Sequence, residues 1–149
     1  MRSRSFLLPL LVALLLAMAL PAQAEQMQQF GDYQVHYSTL TTDVLAPEIA
    51  RNYGISRSRS QGMLTLSVLR TRPQAPAEAV PAKVRASAVN QNSQYRSIDL
   101  REVRDGPAIY YLGQFRVGHE EQLTFDVEVT PEGEDRPFTV EFTQRFYTR

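Results

Sequence analysis

The chain has 149 residues, no cysteine, and 16 basic residues against 16 acidic ones. This balance argues against nucleic acid or an anionic membrane surface as a partner, since both draw on an excess of Lys and Arg. The missing cysteine excludes disulfides, thiol chemistry, thiolate metal sites and lipid attachment through Cys, so apolar packing alone must hold the fold.

Residues 1–24 read as a secretory leader. Arg2 and Arg4 precede an apolar run from Phe6 to Leu20, and Pro21-Ala22-Gln23-Ala24 follows. A basic end, an apolar middle and small residues flanking the cut are what the export machinery and signal peptidase need, which places cleavage after Ala24. A retained membrane anchor would want about 20 apolar residues; here the run is shorter and Pro9 interrupts it. The remaining residues, Glu25 to Arg149, suit one domain with one core. They carry 14 basic and 16 acidic residues, and all the basic ones but Lys83 are Arg.

Alternation of apolar and polar residues dominates this stretch. Tyr33, Val35 and Tyr37 define a first strand, and Leu64, Leu66 and Val68 a second. Weaker strands run from Val84 to Val89 and from Tyr95 to Val103, joined by Asn90-Gln91-Asn92-Ser93. Ile109, Tyr111, Phe115 and Val117 share one side of another strand, entered through Asp105-Gly106-Pro107. Leu123 to Val129 and Phe138 to Phe142 alternate most cleanly, with an acidic turn from Pro131 to Pro137 between them. Pro47 opens a helical turn over Ala46 to Asn52, which Tyr53-Gly54 ends. Pro73, Pro76 and Pro81 mark Arg72 to Pro81 as a linker or an edge crossing, because Pro cannot donate to a ladder. The fold expected is all-β: an immunoglobulin-like antiparallel sandwich of about seven strands with one short helical turn. A membrane barrel of similar size would need lipid-facing apolar residues, whereas the outward positions here are Thr, Asp, Glu, Ser and Arg.

The stretch Tyr33-Gln34-Val35-His36-Tyr37, Thr42, Leu45, Pro47, Ile49-Ala50, Tyr53-Gly54-Ile55, Arg57-Ser58 and Gly62 before Leu64 resembles a family of short exported proteins of Gram-negative bacteria, known only as a domain of unknown function. The likeness covers nearly the whole chain after the leader. It implies an immunoglobulin-like sandwich and a periplasmic location, and it implies no activity.

Residues with chemical potential are few. His36 sits on the polar side of its strand and His119 in a turn beside Glu120 and Glu121. A catalytic zinc needs about three converging ligands, so surface histidines are the simpler reading. Asp126, Glu128 and Glu141 share an outer face of the last hairpin, where a solvated face is favoured over a glycosidase pair. The turn Glu132-Gly133-Glu134-Asp135 lacks the spaced ligands of a calcium loop. No nucleophile elbow and no phosphate loop occur. No cofactor and no catalytic residue is therefore assigned. The unusual segment is Asn52 to Gly62. Read as a strand, it puts Arg57 and Arg59 on one face about 7 Å apart, with Tyr53 beside them, a docking strip for an anionic partner. The competing reading is a polar edge strand guarded by charge.

Three functions follow in order of support: a non-enzymatic binding module of the envelope with a protein partner, a small-ligand or lipid carrier, and an envelope hydrolase whose site is not visible in sequence. The carrier reading comes from Tyr110 and Leu112, which fall on an outer face and call for a cover. Sequence does not fix an oligomeric state. Mass spectrometry of the exported protein is expected to find a chain beginning at Glu25; any other N-terminus removes the cleavage assignment.

Overall fold

In the computed structural model, which describes residues 26–149, alternation sets the architecture. The expected leader and its cleavage site lie outside the described residues. Along Glu121–Pro131 the side chains of Leu123, Phe125, Val127 and Val129 are buried, while Asp126 and Glu128 between them face solvent. The long central strands keep the same period over much of their length, because successive side chains leave a pleated backbone on opposite faces.

The strands are β1 (Gln26–Phe30), β2 (Tyr33–Thr41), β3 (Gln61–Arg72), β4 (Ala75–Ala79), β5 (Ala82–Asn90), β6 (Tyr95–Ile98), β7 (Leu100–Asp105), β8 (Ala108–Arg116), β9 (Glu121–Pro131) and β10 (Phe138–Phe146). They form the expected all-β sandwich, with ten strands where the sequence suggested about seven. Three details make the difference. β1 is exposed along most of its length and so shows no alternation. β4 is the proline-bearing edge crossing, joined to the end of β3 through a shifted register. The single run expected from Tyr95 to Val103 breaks at Asp99, where the chain passes from one sheet to the other.

The first sheet has the order β1-β2-β3-β8-β7, with β4 also paired to β3, and the second has the order β10-β9-β5-β6. All pairings are antiparallel. β3 is the spine of the first sheet. β2 occupies one side of it from Gly62 to Arg70, and β8 occupies the other from Gln61 to Leu66.

Between the sheets lies a core of Val, Leu, Ile and Ala side chains with a cluster of aromatic rings among them. Phe125 of β9 stacks on Phe142 of β10 with ring centroids 4.7 Å apart, and Tyr37 of β2 lies 4.6 Å from Phe142. Phe115 of β8 meets Phe125 edge-on at 5.1 Å and Phe146 at 5.6 Å. Such geometry adds about 0.5–1.5 kcal/mol per pair beyond area burial. Phe115 occupies space that any side chain on β3 at this level would need. A Cβ at Gly62 would lie 2.3 Å from its ring.

Gly62→Ala therefore forces the Phe115 ring out of its stack. The expected cost is about 2 kcal/mol, read as a lower urea midpoint with an unchanged slope. An unchanged midpoint would show that the ring can move aside freely.

Candidate functional site

After β2 the chain leaves the first sheet and runs across its outer face before returning as β3. This cover consists of a 3-10 turn, Thr42–Val44, and a helix α1, Pro47–Asn52. Pro47 stands in the first turn of α1, where its missing N–H is no loss. Tyr53 caps its C-terminus and Gly54 follows at φ 65°, a left-handed conformation suited to glycine. A helix of this length has no stability of its own. Thr42 ties the cover together. Its fully buried hydroxyl donates to the Ser56 carbonyl at 2.8 Å and accepts the Ser58 N–H at 2.9 Å.

Beneath the cover lies a second, smaller apolar cluster of Ala50, Ile55, Met63 and Leu112, with Tyr53, Val103 and Tyr110 packed against it. The cover is thus what the outward Tyr110 and Leu112 required, and it is supplied by the chain itself. It does not close completely. A groove of about 290 Å³ remains between Leu45, Ile49 and Tyr53 on the cover and Met63, Tyr110 and Leu112 on the sheet, with Thr65 and Asp105 as its polar members. In its wall Ile49 is 44% exposed. This is the low end of small-molecule pocket sizes, room for one or two side chains or a single ring.

Of the three residues singled out in the sequence, Tyr53 forms a wall of this groove, and its carbonyl accepts a hydrogen bond from the Arg101 guanidinium. The expected arginine strand does not form. Residues 55–60 run as an irregular loop with a turn, because β2 and β8 already take both sides of β3 and Thr42 binds the backbone of Ser56 and Ser58. Arg57 and Arg59 instead converge on one residue. The Arg57 guanidinium donates to the Asp43 carbonyl at 2.8 Å, and Arg59 Nε lies 3.8 Å from the Asp43 carboxylate. Both arginines remain exposed, and neither lines the groove.

The remaining candidates separate. His36 is on β2 with Gln34 at 3.2 Å, while His119 Nδ1, in the turn before β9, accepts the Thr148 N–H at 3.2 Å. Among the described residues no three His, Cys, Asp or Glu side chains gather as a metal site. Asp126, Glu128 and Glu141 do share one outer face. Asp126 stands opposite Glu141, and Glu128 opposite Thr139 and Arg85. Asp126 and Glu128 also border an open polar trough of about 560 Å³ along β5 and β6.

Glu121, which in sequence neighbours His119, is committed elsewhere. Arg96 grips its carboxylate with two bonds of 2.6 and 2.7 Å, the Asn90 amide donates to it at 3.0 Å, and the Gly118 N–H at 3.1 Å. The Arg96 guanidinium, followed by the other donors, holds this carboxyl at about 2, well below its ordinary value. The bonds fasten the β5–β6 turn to the β8–β9 turn at one end of the sandwich.

Fold and site together define a small antiparallel sandwich with a helix-covered apolar groove on one outer face. Among curated proteins none matches the chain. The chain belongs to the family described as Domain of unknown function (DUF4426), which matches residues 27–149. A crystal structure of a DUF4426 family protein from Pseudomonas aeruginosa is 32% identical, with a TM-score of 0.70 over 85% of this chain and 97% of that one. FetP from uropathogenic Escherichia coli strain F11 shares the fold at 9% identity and a TM-score of 0.60, over 83% of this chain and 94% of its own. A copper-bound single-residue variant of FetP gives 10% identity and a TM-score of 0.59, over 83% of this chain and 95% of its own.

Removing Arg96 strands the Glu121 carboxylate, so Arg96→Ala is expected to cost about 3 kcal/mol at neutral pH. Because the folded pKa of Glu121 is depressed, its contribution is complete above the ordinary value of 4.5 and disappears as pH falls toward about 2. Urea unfolding across that window should show the gap between wild type and Arg96→Ala narrowing as acid is added. A constant gap would mean that the pair does not titrate as described.

Proposed function

We propose that the protein is a non-enzymatic binding module of the bacterial envelope, exported to the periplasm as a single sandwich domain, Glu25 to Arg149, after cleavage of the leader at Ala24. The groove under α1 is its capture site, and the ligand is an apolar side chain of a partner protein. One observation carries this reading: an apolar groove left open on the outer face of the first sheet, with Ile49 standing exposed in its wall. Exposed apolar surface clustered around a concavity is what a docking site needs.

In this arrangement Tyr53 is the aromatic wall against which the partner's side chain packs. Arg57 and Arg59 lie just beyond Ile55 on the loop that completes the cover, and they receive acidic groups flanking that anchor. The size of the groove disfavours the carrier reading, since about 290 Å³ is too little for a lipid chain. Among the described residues no helix is long and apolar enough to cross a membrane. FetP, which shares the fold, has been expressed in the periplasm, in keeping with an exported setting. Its copper is not carried over, because at such low identity only the fold is shared.

A photoreactive phenylalanine analogue at Ile49, introduced in intact cells, is expected to give a discrete protein adduct absent when the analogue replaces Val89 on the opposite sheet. The double substitution Arg57→Ala with Arg59→Ala should weaken that adduct while changing stability by less than about 1 kcal/mol. Equal adducts at both positions, or lost stability with undiminished capture, would overturn the assignment.

A further inference from the structure

We infer that two copies of this chain pair edge to edge through β10, in a two-fold register centred on Thr143. The inference rests on the edge of the second sheet and is independent of the groove.

A sheet edge presents a row of unpaired N–H and C=O groups, and monomeric proteins blunt such edges with short strands, Pro, Lys or bulges. The other edges here are blunted. β1 and β4 have 5 residues each and β6 has 4. β4 also carries Pro76 and a shifted register. β7 is short as well, with 6 residues. β10 is different. It ends the second sheet, spans 9 residues, contains neither Pro nor Lys, and pairs with β9 in an unbroken register.

Its charges point to what pairs with it. On the solvent-facing side β10 carries Glu141 and Arg145. Neither meets an opposite charge across the ladder. Glu141 stands opposite the like-charged Asp126, and Arg145 opposite Gln122, whose amide oxygen it contacts at 3.2 Å. Carboxylates directly opposite each other are mutually destabilising. Glu141 and Arg145 are placed symmetrically about Thr143. In an antiparallel pair of β10 strands with Thr143 on the axis, each Glu141 faces the other copy's Arg145. No other two-fold register on this strand forms both pairs. This is the self-complementarity that a two-fold interface requires. The first sheet leaves room. Tyr37 of β2 lies over Phe142, and β1 ends its pairing at Tyr37, so Ser38–Thr41 of β2 has no strand on that side among the described residues.

The absence of cysteine makes the register testable. A cysteine at position 143 would face its own counterpart with Cβ atoms about 5 Å apart, close enough to close a disulfide with little adjustment. Thr124 is one strand inward, and its counterpart would lie three strand spacings away, about 14 Å. Under mild oxidation of the purified full chain, Thr143→Cys is expected to give a covalent dimer and Thr124→Cys is not. Sedimentation equilibrium of the wild type should show dimers, Glu141→Arg or Arg145→Glu alone should raise the dissociation constant at least about tenfold, and the two reversals combined should restore it. A wild type that stays monomeric at millimolar concentration would overturn the inference. So would a dimer insensitive to the single reversals, or one that the combined reversal fails to restore while the variant remains folded.

Discussion

The ring of Phe115 lying over Gly62 is the constraint on which the rest of the molecule depends. With no disulfide to hold the sheets, the apolar core must do so, and the aromatic rings within it need one strand of the first sheet to be locally bare. Gly62 supplies the bare position next to the start of β3. β3 in turn has β2 and β8 on its two sides, so the chain entering it finds no place beside β3, and it lies instead over the outward Met63, Tyr110 and Leu112. The cover, the tie at Thr42 and the groove beneath α1 belong to that outer apolar cluster. The site and the core are therefore consequences of the same packing.

Much of this was legible in the sequence, for a physical reason. Burial on one face of a strand imposes a period of two, and the period was plain from Tyr33 onward and clearest in the last hairpin. The helical turn at Pro47 was legible because its start and stop chemistry is local. What stayed hidden lacked a local signature. Gln26–Phe30 is exposed along most of its length, so nothing forced its residues to alternate. The arginine-serine repeat did alternate, yet no strand formed, because both sides of β3, the strand it leads into, are already taken and a local pattern cannot register that. Arg96 and Glu121 lie 25 residues apart, and only the fold makes them partners.

Two kinds of polar contact divide the labour. The Arg96, Glu121 and Asn90 cluster closes one end of the sandwich, where inward positions run out of apolar neighbours and an ion pair satisfies what would otherwise be buried charge. The Thr42 hydroxyl does a lighter task, holding a loop whose apolar contacts are few. Among the described residues the arginines of that loop bind Asp43, one of them through its carbonyl, and both stay exposed. Structural charge is inside and satisfied, and the charge assigned to recognition is outside and only partly engaged.

Asp99 carries a mechanical consequence. It is the single residue between β6 in one sheet and β7 in the other, so the two layers share a covalent spine, like the boards of a book. Sliding one layer over the other would tear ladder bonds on both sides of that residue. The opposite margin, where β1 and β2 lie over β10, is closed without any such crossing, by Phe30 stacked on Phe138 at 4.7 Å and Tyr37 against Phe142 at 4.6 Å, so the book is bound by chain on one side and clasped by rings on the other.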